Sequence, residues 1–222
     1  RARRTSIRLL DRVECEHYLA QVHERSLAAL ETVALHDADE ALAFGGFAFD
    51  LAAQHEAQHT ETVLQALQMF EDGSYVPPTW PAVTADDTSP PGRPTRIAIP
   101  DTTFTMGAAD GTFAYDCERP AHHTTVAAFA IAPLPVSNAQ YLDFIADEGY
   151  RRAEFWSDDG WSWRCEHNAQ APLYWCRDGE VWLARAFAQW RPVDPILPVC
   201  HISYWEAEAF ARWDGGRLPT EY

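Results

Sequence analysis

His55 and His59 stand four residues apart in LAAQHEAQHTET, residues 51–62. Four residues advance an α-helix by about 400°, so the two side chains emerge about 40° apart and about 6 Å along the axis. Both imidazoles then reach one point, which makes H-x-x-x-H on a helix a chelating pattern for a divalent metal. Ala52, His55, His59, Val63 and Ala66 follow one stripe with Leu67 beside it, which predicts that the pair faces a helix-bundle interior. The plain alternative is two core histidines satisfied by hydrogen bonds, and the short pattern alone does not separate the two. Glu61 does not complete a two-histidine, one-carboxylate triad, because it lies about 200° around the helix from His59. The helix offers two ligands and needs at least one more from elsewhere. His17 and His23 fall on different helix faces, His36 sits near a helix end, and His122, His123 and His201 read as structural.

The elements that must carry this pair follow from apolar spacing. Residues from Asp11 to Leu35 contain few breakers, and Val13, Leu19, Val22, Leu27, Leu30 and Val33 repeat at helical spacing. A second helix is expected from Asp39 to Glu71, with a break where Gly45 and Gly46 weaken it. Pro77, Pro78, Pro81, Pro90, Pro91 and Pro94 then forbid a continuous helix or central strand, so residues 73–96 read as a linker. Residues 1–72 form the expected helical domain and 97–222 the expected second domain. In the latter, short apolar stretches alternate with Gly, Asp and Pro turns, an irregular α+β pattern rather than βαβ units. SNAQYLDFIADEG and YWEAEAFARWDGG read as short helices, the first capped by Ser137 or Asn138 and each ended by a glycine.

Composition narrows the function classes. Of 222 residues, 47% are hydrophobic and 13% aromatic, enough for a substantial core. The net charge of −16, from 17 basic and 33 acidic residues, repels a phosphate backbone and argues against a nucleic-acid partner. No apolar run reaches the length of about 18 residues that a membrane span needs, and no signal segment opens the chain. Cys15, Cys117, Cys165, Cys176 and Cys200 show no C-x-x-C spacing, and buried free thiols in a reducing cytoplasm are the expectation. The tryptophans of WSDDGWSWRCEH are assigned to the core rather than to a cation–π cage, since large aromatics mostly bury area. The chain opens on Arg1 and stops in GGRLPTEY, and the protein is expected to continue beyond both ends.

QHEAQHTETVLQALQ resembles the H-x-x-x-H-x-E helix of the DinB-like domain in ergothioneine-biosynthesis sulfoxide synthases (EgtB-type). IPDTTFTMG, CERPAHHTTVAAFAIAPLPVSNAQYLDFI, GWSW, APLYW and PVCHISYWEAEAFARWDGGRLPTE resemble the formylglycine-generating-enzyme-like domain that follows it in those proteins. The order of helical segment, proline-rich linker and irregular domain matches as well. The resemblance implies a DinB-like helical bundle followed by a formylglycine-generating-enzyme-like, C-type-lectin-like domain.

The activity implied is that of a mononuclear non-haem iron(II) enzyme. It uses dioxygen to join the sulfur of a cysteine-type thiol to C-2 of the hercynine imidazole and oxidises that sulfur to a sulfoxide. His55 and His59 match two of the family's three iron-binding histidines, and the third belongs to a segment expected before Arg1. Three neutral imidazoles leave positions on Fe(2+) for both substrates and dioxygen, which turns a many-body encounter into an oriented one. Gln58 matches a position near the substrate's amino-acid end. Arg1 and Arg4 resemble arginines that hold the thiol substrate's carboxylates through bidentate hydrogen bonds. No catalytic acid is named, because the family's substrate-facing tyrosine is expected beyond Tyr222. Selenoneine synthase, using a selenosugar, and ovothiol-type synthase, using histidine and cysteine, are the near alternatives. A DinB-like thiol transferase with another divalent metal and a non-catalytic binding protein are the more distant ones.

Overall fold

The computed structural model describes residues 8–35, 44–71, 73, 75–77, 95–109, 111 and 113–222. Arg1, Arg4, His36 and most of the proline-rich stretch lie outside them. The chain divides into two compact units, residues 1–59 with 109–116 and residues 60–108 with 117–222.

In the first unit, α1 (Arg12–Thr32) starts where its sequence supplies a cap. The Asp11 carboxylate accepts from the Glu14 backbone N–H at 2.9 Å and the Glu14 carboxylate accepts from the Asp11 N–H at 2.9 Å. Each satisfies a donor that the first helical turn leaves orphaned. The second helical stretch breaks at Gly45 and Gly46, as expected, and residues 39–43 lie outside the described ones. A 3₁₀ turn at Phe44–Gly46 precedes α2 (Phe47–Met69), and Gly45 (φ 64°) and Gly46 (φ 83°) take the left-handed conformation. That conformation costs glycine nothing and any other residue more, so the two glycines set the break. The apolar residues of α1 stay exposed, Val13 at 73% and Leu19 at 62%, so among the described residues this face is not packed into a bundle.

Among the described residues the second unit carries seven short strands. Strands β1 (Ile97–Ile99), β2 (Thr102–Met106), β3 (His122–Val126) and β4 (Phe129–Ile131) form two antiparallel pairs, β1 with β4 and β2 with β3. Gly107 leaves β2 at φ 100°, and a Cβ there would lie 2.9 Å from the Glu118 carbonyl oxygen, so the turn admits only glycine. Strands β5 (Trp175–Asp178), β6 (Val181–Ala186) and β7 (Gln189–Pro192) make an antiparallel meander. This is the irregular α+β pattern expected from the sequence.

The core of this unit lies among α3 (Asn138–Ala146), α4 (Asp158–Glu166) and α5 (Tyr204–Trp213). Tyr141 and Phe144 are fully buried with Tyr150, Trp156, Ala209 and Phe210, and Trp161, Trp163, Trp205 and Trp213 pack around them. The tryptophans of WSDDGWSWRCEH therefore serve the core, as expected. Ser137 caps α3 through a reciprocal pair with Gln140, and Ser203 caps α5 with Glu206.

Two expectations are corrected. At the end of α3 the left-handed residue is Glu148 (φ 59°), not Gly149. Gly149 is required for space, since a Cβ there would lie 2.1 Å from the Phe144 ring. The five cysteines are free, as predicted, but exposed rather than buried. The core is filled by larger aromatic side chains, and the thiols fall on outward faces of their elements, as Cys165 does in the last turn of α4.

Candidate metal and substrate site

Helix α2 puts His55 and His59 on successive turns, and their rings lie edge to face with centroids 4.4 Å apart. Two imidazoles bound side by side to one octahedral metal, with metal–nitrogen bonds near 2.1 Å, have centroids roughly 4.5 Å apart. The spacing of this donor pair thus fits two adjacent positions on one divalent ion. Neutral imidazole nitrogen suits iron, and two such ligands leave most of an octahedral shell to other groups. Among the described residues no third His, Cys, Asp or Glu joins them. Glu61 is exposed.

The surroundings differ from the expectation. The stripe of Ala52, His55, His59, Val63 and Ala66 is exposed among the described residues, so the pair does not face a bundle interior there. Spacing gave the direction of the side chains correctly. It cannot supply what lies opposite them.

Gln58 precedes His59 and points about 100° away from it. Its Nε2 donates to the Tyr115 hydroxyl at 3.3 Å. The Tyr115 ring packs edge to face on Phe113 at 5.5 Å, and Phe113 packs on Phe47, the first residue of α2, at 5.6 Å. Sequence patterning does not single out Tyr115. The signal available was the aromatic pair in GTFAYD, which has no helical or strand periodicity to mark it.

A second polar cluster sits where α2 ends. Arg185 on β6, 5% exposed, donates to the Phe70 and Phe187 carbonyls at 2.9 and 2.8 Å and lies 4.4 Å over the Tyr174 ring. Gln68 donates to the Arg185 carbonyl at 2.9 Å and accepts from the Phe187 N–H at 2.6 Å. Three histidines of the second unit lie apart from the His55–His59 pair in sequence and make contacts of their own. His122 bonds the Pro120 carbonyl at 3.0 Å, His123 approaches Thr105 at 3.5 Å, and His201 packs edge-on against Tyr174 at 5.0 Å. Partial burial, and then the Arg185 charge, hold His201 below the usual imidazole range.

With this geometry in view, comparison with known proteins gives the class. The sulfatase-modifying factor enzyme 1-like domain matches residues 83–222. Hercynine oxygenase of Mycolicibacterium thermoresistibile is 40% identical over 100% of this chain and 47% of its own length. Hercynine oxygenase of Mycobacterium tuberculosis is 38% identical over 100% of this chain and 50% of its own length. A formylglycine-generating enzyme of Thermomonospora curvata is 36% identical over 56% of this chain and 45% of its own length. The chain belongs to the sulfatase-modifying factor enzyme 1-like family, and its full-length likeness to hercynine oxygenases supports the resemblance to EgtB-type sulfoxide synthases. It spans about half the length of the hercynine oxygenases it matches. Among the described residues no helix is long and apolar enough to cross a membrane.

Proposed function

We propose that this chain is part of a non-haem iron(II), dioxygen-dependent sulfoxide synthase that forms a C–S bond between a cysteine-type thiol and C-2 of the hercynine imidazole. The observation that carries the reading is the 4.4 Å ring spacing of His55 and His59 on one helix, in a chain 40% identical to a hercynine oxygenase. In this reading α1 and α2 belong to a DinB-like helical domain. His55 and His59 hold Fe(2+) through neutral imidazole nitrogens, and a third ligand completes the set. Bound iron supplies the redox chemistry with dioxygen. Gln58 holds the amino-acid end of hercynine, one residue from a metal ligand. Arg1 and Arg4 receive the carboxylates of the thiol substrate, a task that suits the planar guanidinium fork. Fixing both substrates at one site removes the entropy cost of their meeting at the moment of reaction.

The test is oxygen uptake by the full-length, iron(II)-loaded protein with hercynine and, in turn, γ-glutamylcysteine, cysteine or a selenosugar, with products identified by mass. Uptake with a sulfur donor, lost together with bound iron in His55→Ala and His59→Ala, supports the reading. A C–Se product from the selenosugar alone would redirect it to selenoneine synthesis. Absence of uptake with every donor, iron still bound, would overturn it.

A further inference from the structure

The partner of Gln58 is a residue to which the sequence gives no role. On α2, Phe47, Leu51, Gln54 and Gln58 recur at i, i+4, i+7 and i+11 and so form one stripe. His55 and His59 lie about 60° and about 100° around the helix from Gln58, on the neighbouring stripe. Residues 109–116, distant in sequence, belong to the same unit as this half of the helix. Of these, Phe113 lies against Phe47 and the Tyr115 hydroxyl lies at Gln58 Nε2. Phe113, Tyr115 and Phe47 are each half-buried, and Ala114 between the first two is 4% exposed.

We propose that Tyr115 is a positioning residue for substrate binding, which holds the Gln58 amide in one orientation beside the histidine pair. A glutamine on an exposed helix face samples several rotamers and has two chemically different ends. The Tyr115 hydroxyl, buttressed by Phe113, accepts from Nε2 and so favours one rotamer. This inference rests on the reading of Gln58 as a substrate contact. It adds that binding depends on a residue 57 positions away in the chain.

The experiment is a double-mutant cycle on hercynine binding, measured by calorimetry on the full-length, iron(II)-loaded protein without oxygen. The variants are Tyr115→Phe, Gln58→Ala and the two together, with melting temperature as the control for folding. Tyr115→Phe keeps the ring against Phe113 and removes the hydroxyl. It is expected to weaken binding roughly 3- to 10-fold, the worth of one hydrogen bond. In the Gln58→Ala background it is expected to weaken binding no further. Unchanged affinity in Tyr115→Phe, or a loss that multiplies with Gln58→Ala, would overturn the positioning role while leaving the proposed function intact. A wild-type protein that does not bind hercynine would overturn both.

Discussion

Helix α5 and the histidine-bearing half of α2 are both amphipathic, but they meet their surroundings differently. Helix α5 sets Ala209 and Phe210 into an aromatic core and points Glu206 at the Tyr150 hydroxyl, 2.6 Å away. The histidine-bearing half of α2 has no fully buried residue, with Phe47, Phe49 and Leu51 only partly covered, and the helix's one buried residue is Gln68, near the far end. The lesson is one of separable roles. Side chains of the second unit's core decide whether that unit folds. Side chains around His55 and His59 are exposed among the described residues, so their substitution is expected to read out chemistry more than stability. Each prediction below tests that division.

The largest effect is expected at Phe144, which is fully buried among Tyr141, Tyr150, Phe155, Phe210 and Trp213. Phe144→Ala removes a ring whose neighbours come from several elements and cannot all close in, so the expected loss is about 3–5 kcal/mol. Val63→Ala, at a side chain 57% exposed on α2, is expected to change stability by less than about 0.5 kcal/mol. Denaturant unfolding followed by near-ultraviolet circular dichroism measures both. Comparable losses at the two sites would break the division.

Next comes Arg185. Arg185→Met keeps much of the stem's volume but leaves the Phe70 and Phe187 carbonyls without their donor, for an expected loss of about 2–4 kcal/mol in the same assay. His55→Ala and His59→Ala are expected to stay within about 0.5 kcal/mol of wild type in the metal-free protein. A large apo-protein loss in either would show the pair to be structural.

Tyr150 sharpens the comparison from inside the core. Its hydroxyl sits between Tyr141, at 3.0 Å, and Glu206. Tyr150→Phe leaves a buried carboxylate oxygen unpaired and is expected to cost about 1–3 kcal/mol, with Tyr141→Phe costing less. Burial raises both phenols above their ordinary value, assisted for Tyr141 by Glu206 and for Tyr150 by Tyr141 and Glu206. A raised folded value gives stability that is complete below the unfolded value near 10 and is lost as pH climbs above it. Denaturation at pH 9 to 11 is expected to show that loss in the wild type and a smaller one in Tyr150→Phe.

What the sequence made legible were the features a few neighbouring residues settle. Ser137 with Gln140 and the glycines at 45 and 46 act through local backbone chemistry, so they set a helix start and a helix break as read. The His55–His59 spacing belongs to the same kind, being geometry internal to one helix. The features that failed to show depend on what a distant segment brings. Gly149 answers to a ring five residues back that only the folded core fixes in place. Tyr115 meets Gln58, and Arg185 meets Phe70, across separations of 57 and 115 residues, with no periodicity to announce them. The cysteines were placed inside by the general habit of free thiols, and here aromatic volume fills the core instead.

The smallest effect is expected at His201, which joins the two themes because it titrates beside the Arg185 cluster. The residue sits at φ 62°, a conformation that asparagine tolerates better than most, so His201→Asn is the variant that changes the ring with least backbone strain. Partial burial and then Arg185 lower its folded value, so the unfolded chain takes up the proton first as pH falls. Stability is therefore complete above the unfolded value near 6.5 and declines from there toward the lowered folded value. The ring keeps an exposed edge, so solvent screens both causes and the slope stays below one proton. Unfolding free energy measured from pH 5 to 7.5 is expected to fall less steeply on the acid side in His201→Asn than in the wild type. A steeper fall in the variant would mean that protonated His201 is stabilised in the folded state, against the influence of the buried guanidinium beside it.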